Sequence, residues 1–321
     1  MTSPTGFDAG QAVRRRLRSL SLPDQDLMIL LAADHRNNLL KQLPDDLSTE
    51  DAAAAMTTLK VDFARDLGSA STGYLTDPKF GLFPCLADPQ VDPKLPIISA
   101  LEETGYTGSA WDRMPTLIDG FGPDVALKAG ATGAKFLIYY HPDAENAQEK
   151  RDLCQQVAQS CEAAAIPLFL EPLVYPLAED KPLAPGTDEF EDAVVQTAAE
   201  LSATKPTVMK VQFPGGGLDS RDRWANACRR LDEACVVPWV LLGAGVSFED
   251  FIEQTKAACS AGASGVLVGR TIWGETVNQT PTERASFLQD VGRKRLAQLE
   301  DAVSSTGRPW SSSGSLSRSL S

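Results

Sequence analysis

The 321-residue sequence predicts a single-domain α/β chain folded as a (β/α)8 TIM barrel. Three observations predict it. Eight short apolar runs alternate with longer segments patterned as helices. The runs are rich in Ile, Leu and Val on both faces, as in parallel strands covered by helices. Eight such units in about 270 residues suit a closed barrel. The alternative is an open doubly wound sheet, but no GxGxxG follows the first strand.

The elements are read in chain order. "LMILLAAD" (27–34) is a strand. "STEDAAAAMTTLKVDFARDL" (48–67) is a helix, with Ser48 as its cap, Asp51 at the third helical position and an apolar stripe. "STGYLTD" (71–77) and "LPIISALE" (95–102) are strands, and the chain between them is the least regular part. A helix at 122–131 precedes the strand "GAKFLIYY" (133–140). The helix 146–165 precedes "IPLFLEPL" (166–173), and the helix 188–203 precedes "PTVMKVQF" (206–213). The helix 219–235 precedes "VPWVLLGAG" (237–245), and the helix 247–263 precedes "SGVLVGR" (264–270). A last helix covers about 281–302. Residues 1–22 are expected to be an N-terminal extension and 23–303 the barrel. The tail 304–321, ending in "SSSGSLSRSLS", is expected to be largely disordered.

A 43% hydrophobic content supports a sizeable core, and the net charge of −13 argues against nucleic-acid or anionic-membrane partners. A small anionic substrate remains compatible, because a local basic pocket can sit in an acidic surface. The six cysteines form no CxxC, which reads as reduced thiols. The N-terminus is basic without an apolar core, unlike a secretory signal, and no run is long enough to cross a membrane. A cytoplasmic homo-oligomer is expected. With only His35 and His141, a zinc site is not expected, and no cofactor is implied.

Barrel chemistry sits at the carboxyl ends of strands. The polar residues there are Asp34, His35, Arg36, Asp77, Lys135, Glu171, Lys210 and Gln212, with Gly243, Ala244, Gly245, Gly269 and Arg270. Lys135, Glu171 and Lys210 fall at similar depth in the fourth, fifth and sixth strands. Buried charges need partners, so three together suggest a designed set. A neutral lysine amine attacks a ketone and forms an imine, an electron sink for cleaving a neighbouring C–C bond. Desolvation or a nearby cation lowers a lysine from its usual ~10.4. Lys135 beside Lys210 would be that cation, and Glu171 would carry the proton. Spacing does not assign the imine to either lysine; flanking Met209 and Val211 favour Lys210.

"GAGV" (243–246) before a helix, and "VGR" (268–270), leave backbone N–H groups open to an anion and add the Arg270 fork. Barrels often bind phosphate after strands seven and eight. The plainer reading is that these glycines only permit tight turns.

The motifs "LAADHRNNL", "STGYLTDPKFG", "ALEETGYTG", "GAKFLIYYHPD", "PLFLEPLVYPL", "VMKVQFPG", "GAGVSFEDF", "GVLVGRTIWGE" and "GRPW" run in order from about 27 to 310. Together they resemble the class I tagatose-1,6-bisphosphate aldolase family, which includes 6-deoxy-6-sulfofructose-1-phosphate aldolases. The resemblance implies an imine on Lys210, acid–base work by Glu171 and a second lysine at Lys135. It also implies substrate contacts at Asp34, His35 and Arg36, and phosphate loops at 243–245 and 269–270. His35 stands where glutamine is more usual, Gln212 where glutamate is common, and Gly243 where serine is common. These departures leave the sugar open, because a second phosphate and a sulfonate are both anions that Arg36 could meet. The expected reaction cleaves a phosphorylated ketose to dihydroxyacetone phosphate and an aldehyde. The alternative is a non-catalytic barrel that senses sugar phosphate and regulates a partner.

Overall fold

In the computed structural model, which describes residues 8–217 and 221–313, eight parallel strands close into a barrel. They are β1 Met28–Ala33, β2 Gly73–Thr76, β3 Ile97–Ala100, β4 Gly133–Tyr139, β5 Leu168–Leu173, β6 Val208–Val211, β7 Trp239–Leu242 and β8 Gly265–Val268. Each pairs with its sequence neighbour, and β8 returns to β1 through Met28 opposite Gly265. Closure leaves no sheet edge.

The helices are α1 Ala9–Ser19, α2 Asn37–Leu40, α3 Thr49–Leu67, α4 Phe83–Ala87, α5 Pro123–Lys128 and α6 Ala147–Ala163. They continue with α7 Asp188–Ser202, α8 Arg221–Ala234, α9 Phe248–Ala261, α10 Arg270–Trp273, α11 Pro281–Phe287 and α12 Arg293–Thr306. Local chemistry sets their starts. The Ser48 hydroxyl accepts from the Asp51 N–H at 3.1 Å, and Ser247 accepts from Asp250 at 3.1 Å, which satisfies donors the helices leave open. The helix expected at 281–302 is two helices joined by a wider turn at Leu288–Gly292, and it runs on to Thr306. The irregular stretch after β2 is a π turn, Pro78–Leu82, leading into α4.

Side chains alternate along each strand. On β1, Ile29 and Leu31 face the helices, while Met28, Leu30 and Ala32 face inward. Inside, Leu75, Ile98, Phe169, Val208, Val240 and Leu267 complete a packed core. Parity then fixes the polar layer. Phe169 points inward, so Glu171 does; Val208 points inward, so Lys210 does.

The barrel floor corrects the expected boundaries. Val13, Leu17 and Leu20 of the supposed extension belong to the inner core, and so does Trp310. A Cβ on Gly73 would lie 2.6 Å from Leu20, so the bare glycine lets that leucine plug the ring. Trp310 is 2% exposed, and its indole donates to Ser21 Oγ at 2.9 Å. Residues 304–313 are therefore placed structure, while 314–321 lie outside the described residues. Among the described residues no helix is long and apolar enough to cross a membrane.

Candidate active site

A cavity of about 460 Å³ opens at the carboxyl ends of the strands. Asp34, His35, Arg36, Lys135, Glu171, Lys210, Gln212, Gly243, Ala244, Gly245, Gly269 and Arg270 all line it. Asp77 does not. It turns outward, pairs with buried Lys60 of α3, and its carboxylate accepts from the Phe80 N–H at 2.8 Å. Its work is to hold the turn after β2.

Lys135 is the hub. Its Nζ lies 2.7 Å from Asp34, 2.8 Å from Glu102 and 2.9 Å from Glu171. Burial works against the charged ammonium, but Asp34, Glu102 and Glu171 overcome it and hold Lys135 well above the ordinary lysine range. This corrects the simple picture of Lys135 as a bare cation beside Lys210: three carboxylates already surround its charge. Burial would raise Asp34, yet Lys135 and then Lys210 hold it well below the usual carboxylate value. Glu171 is held down in the same way, against burial, by Lys135 and Lys210.

Glu171 Oε1 is 2.8 Å from Lys210 Nζ, within reach for proton transfer. Its Oε2 is buried 2.9 Å from Lys135 Nζ, an ion-pair contact without the geometry of a directed hydrogen bond. Both groups are nearly enclosed, Glu171 at 6% and Lys210 at 4% exposure. A carboxylate between two amines, with both groups nearly enclosed, can take a proton from one side and pass it to a bound molecule.

Glu102, at the end of β3, was missed by the sequence reading. Its Oε1 faces Lys135 and lies 3.5 Å from Arg36, and its Oε2 accepts from the Leu137 N–H at 3.1 Å. Arg36 also donates to the Glu102 carbonyl at 2.7 Å, so the expected substrate-binding guanidinium is anchored to β3. Burial raises the Glu102 carboxyl despite Lys135 and Arg36. The available signal was its place at a strand's carboxyl end in "SALEE".

His35 is pushed down to about 4 by burial, with Asp34 only partly opposing it. Its ring is neutral near pH 7, and its Nδ1 has no hydrogen-bond partner. Gln212 accepts from the Val174 N–H at 2.7 Å, which directs its amide NH2 elsewhere.

The loop after β7 has Ala244 at φ +47 and Gly245 at φ +80. A Cβ on Gly245 would lie 3.2 Å from the Arg270 guanidinium, so that loop and Arg270 share one wall. Thr271 ties the two loops by donating to the Val246 carbonyl at 3.0 Å. Arg270 has no carboxylate partner among the described residues, so a guanidinium faces the pocket with its charge uncompensated. Among the described residues no three His, Cys, Asp or Glu side chains are grouped to hold a metal; the three carboxylates converge on an ammonium instead.

Comparison with known proteins follows the same lines. A family model described as DeoC/LacD family aldolase matches residues 29–275. A tagatose 1,6-diphosphate aldolase of Streptococcus pneumoniae (strain ATCC BAA-255 / R6) is 29% identical, covering 92% of this chain and 97% of that one. The tagatose 1,6-diphosphate aldolase of Lactococcus lactis subsp. lactis is also 29% identical, with the same coverage of 92% and 97%. Among solved structures, a Schiff-base-forming fructose-1,6-bisphosphate aldolase superposes with a TM-score of 0.59 at 18% identity, covering 91% of this chain and 99% of that one. The Plasmodium falciparum fructose-bisphosphate aldolase gives a TM-score of 0.69 at 13% identity, with coverage of 94% and 96%, a likeness of fold. The family model spans most of the barrel, and on that ground the chain belongs to the DeoC/LacD family of aldolases.

Proposed function

We propose that this aldolase works through an imine on Lys210 and cleaves a phosphorylated ketose to dihydroxyacetone phosphate and an aldehyde. The observation that carries the reading is the Lys210–Glu171–Lys135 chain, with Glu171 at 2.8 and 2.9 Å from the two amines. Glu171 takes the proton that frees the Lys210 amine. The amine attacks the ketone carbon, and Glu171 returns a proton as water leaves the carbinolamine. Glu171 next accepts the proton of the hydroxyl carried by the far carbon of the bond to be broken, the carbon that becomes the aldehyde. The C–C bonding pair flows into the protonated imine, the aldehyde departs, and the enamine is reprotonated and hydrolysed. Lys135 stays charged throughout, and its field steadies Glu171 and Asp34 as protons move.

The substrate's phosphate is assigned to the loop at 243–245, Gly269 and Arg270. Asp34, His35 and Gln212 face the sugar hydroxyls, and Arg36 faces a second anionic group. Tagatose-1,6-bisphosphate and 6-deoxy-6-sulfofructose-1-phosphate both fit that description. The similarity to tagatose 1,6-diphosphate aldolases favours the first. Six free thiols accord with a cytoplasmic location. The test is release of dihydroxyacetone phosphate from tagatose-1,6-bisphosphate, fructose-1,6-bisphosphate and sulfofructose-1-phosphate. Turnover of at least one is expected; three inert sugars would refute the substrate class.

A further inference from the structure

The phosphate loops follow β7 and β8, so β3 and β4 lie diametrically opposite in the closed ring. On that side the pocket wall includes Tyr106, from the excursion after β3, and Tyr139, at the end of β4. Their rings meet edge to face, with centroids 5.4 Å apart. A third residue holds them there. The Arg113 guanidinium stands 5.2 Å from each of these two ring centroids and 4.9 Å from that of Tyr175. Its Nε donates to the Ala110 carbonyl at 2.6 Å, and it has no carboxylate partner among the described residues. Its backbone is left-handed, φ +45, a costly state for a side chain of this size that persists only where the surroundings impose it.

Those surroundings are specific. The neighbouring Asp112 carbonyl accepts from Asn146 Nδ2 at 2.9 Å, from the Tyr175 hydroxyl at 3.3 Å and from Lys150 Nζ. Lys150 is fully buried and also donates to Tyr175. The excursion is therefore fixed to α6 and to the chain just past β5, and Arg113 is delivered between the rings. Tyr106 is 39% exposed, and a tyrosine so exposed needs such a clamp to keep one orientation.

We propose that Arg113 is a positioning residue for the aldolase reaction: it locks Tyr106 and Tyr139 into a wall that aligns the aldehyde end of the ketose. The inference rests on the imine reading above. The phosphate loops are on the far side and Lys210 of β6 is two strands from β4, so in this proposal the phosphate and imine ends of the substrate are seated away from this wall. Arg113→Ala should then lower kcat/KM for tagatose-1,6-bisphosphate roughly tenfold, the size expected when a partly desolvated cation–π contact is lost. Trapping of dihydroxyacetone phosphate by borohydride should stay within about twofold, because that molecule fills only the other half. Arg113→Lys keeps a cation and should recover most of the loss. Circular dichroism of each variant confirms the fold. The inference is overturned if Arg113→Ala cleaves the ketose like the wild type, if trapping falls in step with cleavage, or if lysine rescues no better than alanine. Wild-type protein that traps no dihydroxyacetone phosphate would remove the imine reading, and this inference with it.

Discussion

Replacing Glu102 with glutamine separates two accounts of the buried cluster. The carboxylate takes donors on both oxygens: Lys135 at 2.8 Å with Arg36 at 3.5 Å on one, and the Leu137 N–H at 3.1 Å on the other. An amide has one oxygen, so in either orientation its NH2 meets a donor. The better choice keeps the oxygen on Lys135 and leaves the Leu137 N–H unpaired, at a cost of about 1–3 kcal/mol. The lost charge adds little. Lys135 keeps Asp34 at 2.7 Å and Glu171 at 2.9 Å, and burial already raises Glu102, so its ionised form gains less from its partners than desolvation costs. Glu102→Ala removes both acceptors, so the Leu137 N–H and the Lys135 and Arg36 donors all lose a partner, and about 3–5 kcal/mol is expected. Urea unfolding at pH 7, compared at constant slope, reads both values. Equal losses for glutamine and alanine would refute the reasoning, because they would show that the ionised charge, and not the hydrogen-bond count, holds Glu102 in place.

Two further outcomes follow from the same geometry. Arg270→Ala removes the pocket's uncompensated guanidinium and should lower kcat/KM for a ketose phosphate roughly 10–100-fold, the scale of hydrogen bonds to a charged group; an unchanged value would place the phosphate elsewhere. His35 falls from 6.5 to about 4 on folding, so the unfolded chain binds its proton first as pH drops. Stability from this group is complete above about pH 6.5 and is lost towards pH 4, up to about 3 kcal/mol. His35→Gln should flatten that part of the stability–pH curve, and an unaltered slope would contradict it.

The strands were legible because both-sided apolar runs and period-two alternation are local signals. They turned Lys135, Glu171 and Lys210 to one interior without any knowledge of contacts. The glycines at 243, 245 and 269 were legible for a similar reason, since only tight turns after strands call for them there. Long-range partnerships were not. Trp310 meets Ser21 across 289 positions, so the chain's two ends form the floor through contacts that no periodicity announces. Asp77 looked like Asp34 at a strand end, but a lysine on α3 turned it outward. Glu102 gains its role from Lys135 and Arg36, 33 and 66 positions away. Arg113 sits in an irregular excursion held by α6 and by Tyr175 just past β5, partners far away in the sequence.

The central claim is that Lys210 carries the imine. Borohydride reduction in the presence of dihydroxyacetone phosphate, followed by peptide mass spectrometry, reads it directly. A single reduced adduct on Lys210, absent in Lys210→Met and with Lys135 unmodified, is the predicted result. An adduct on Lys135, or none on either lysine, would contradict the account.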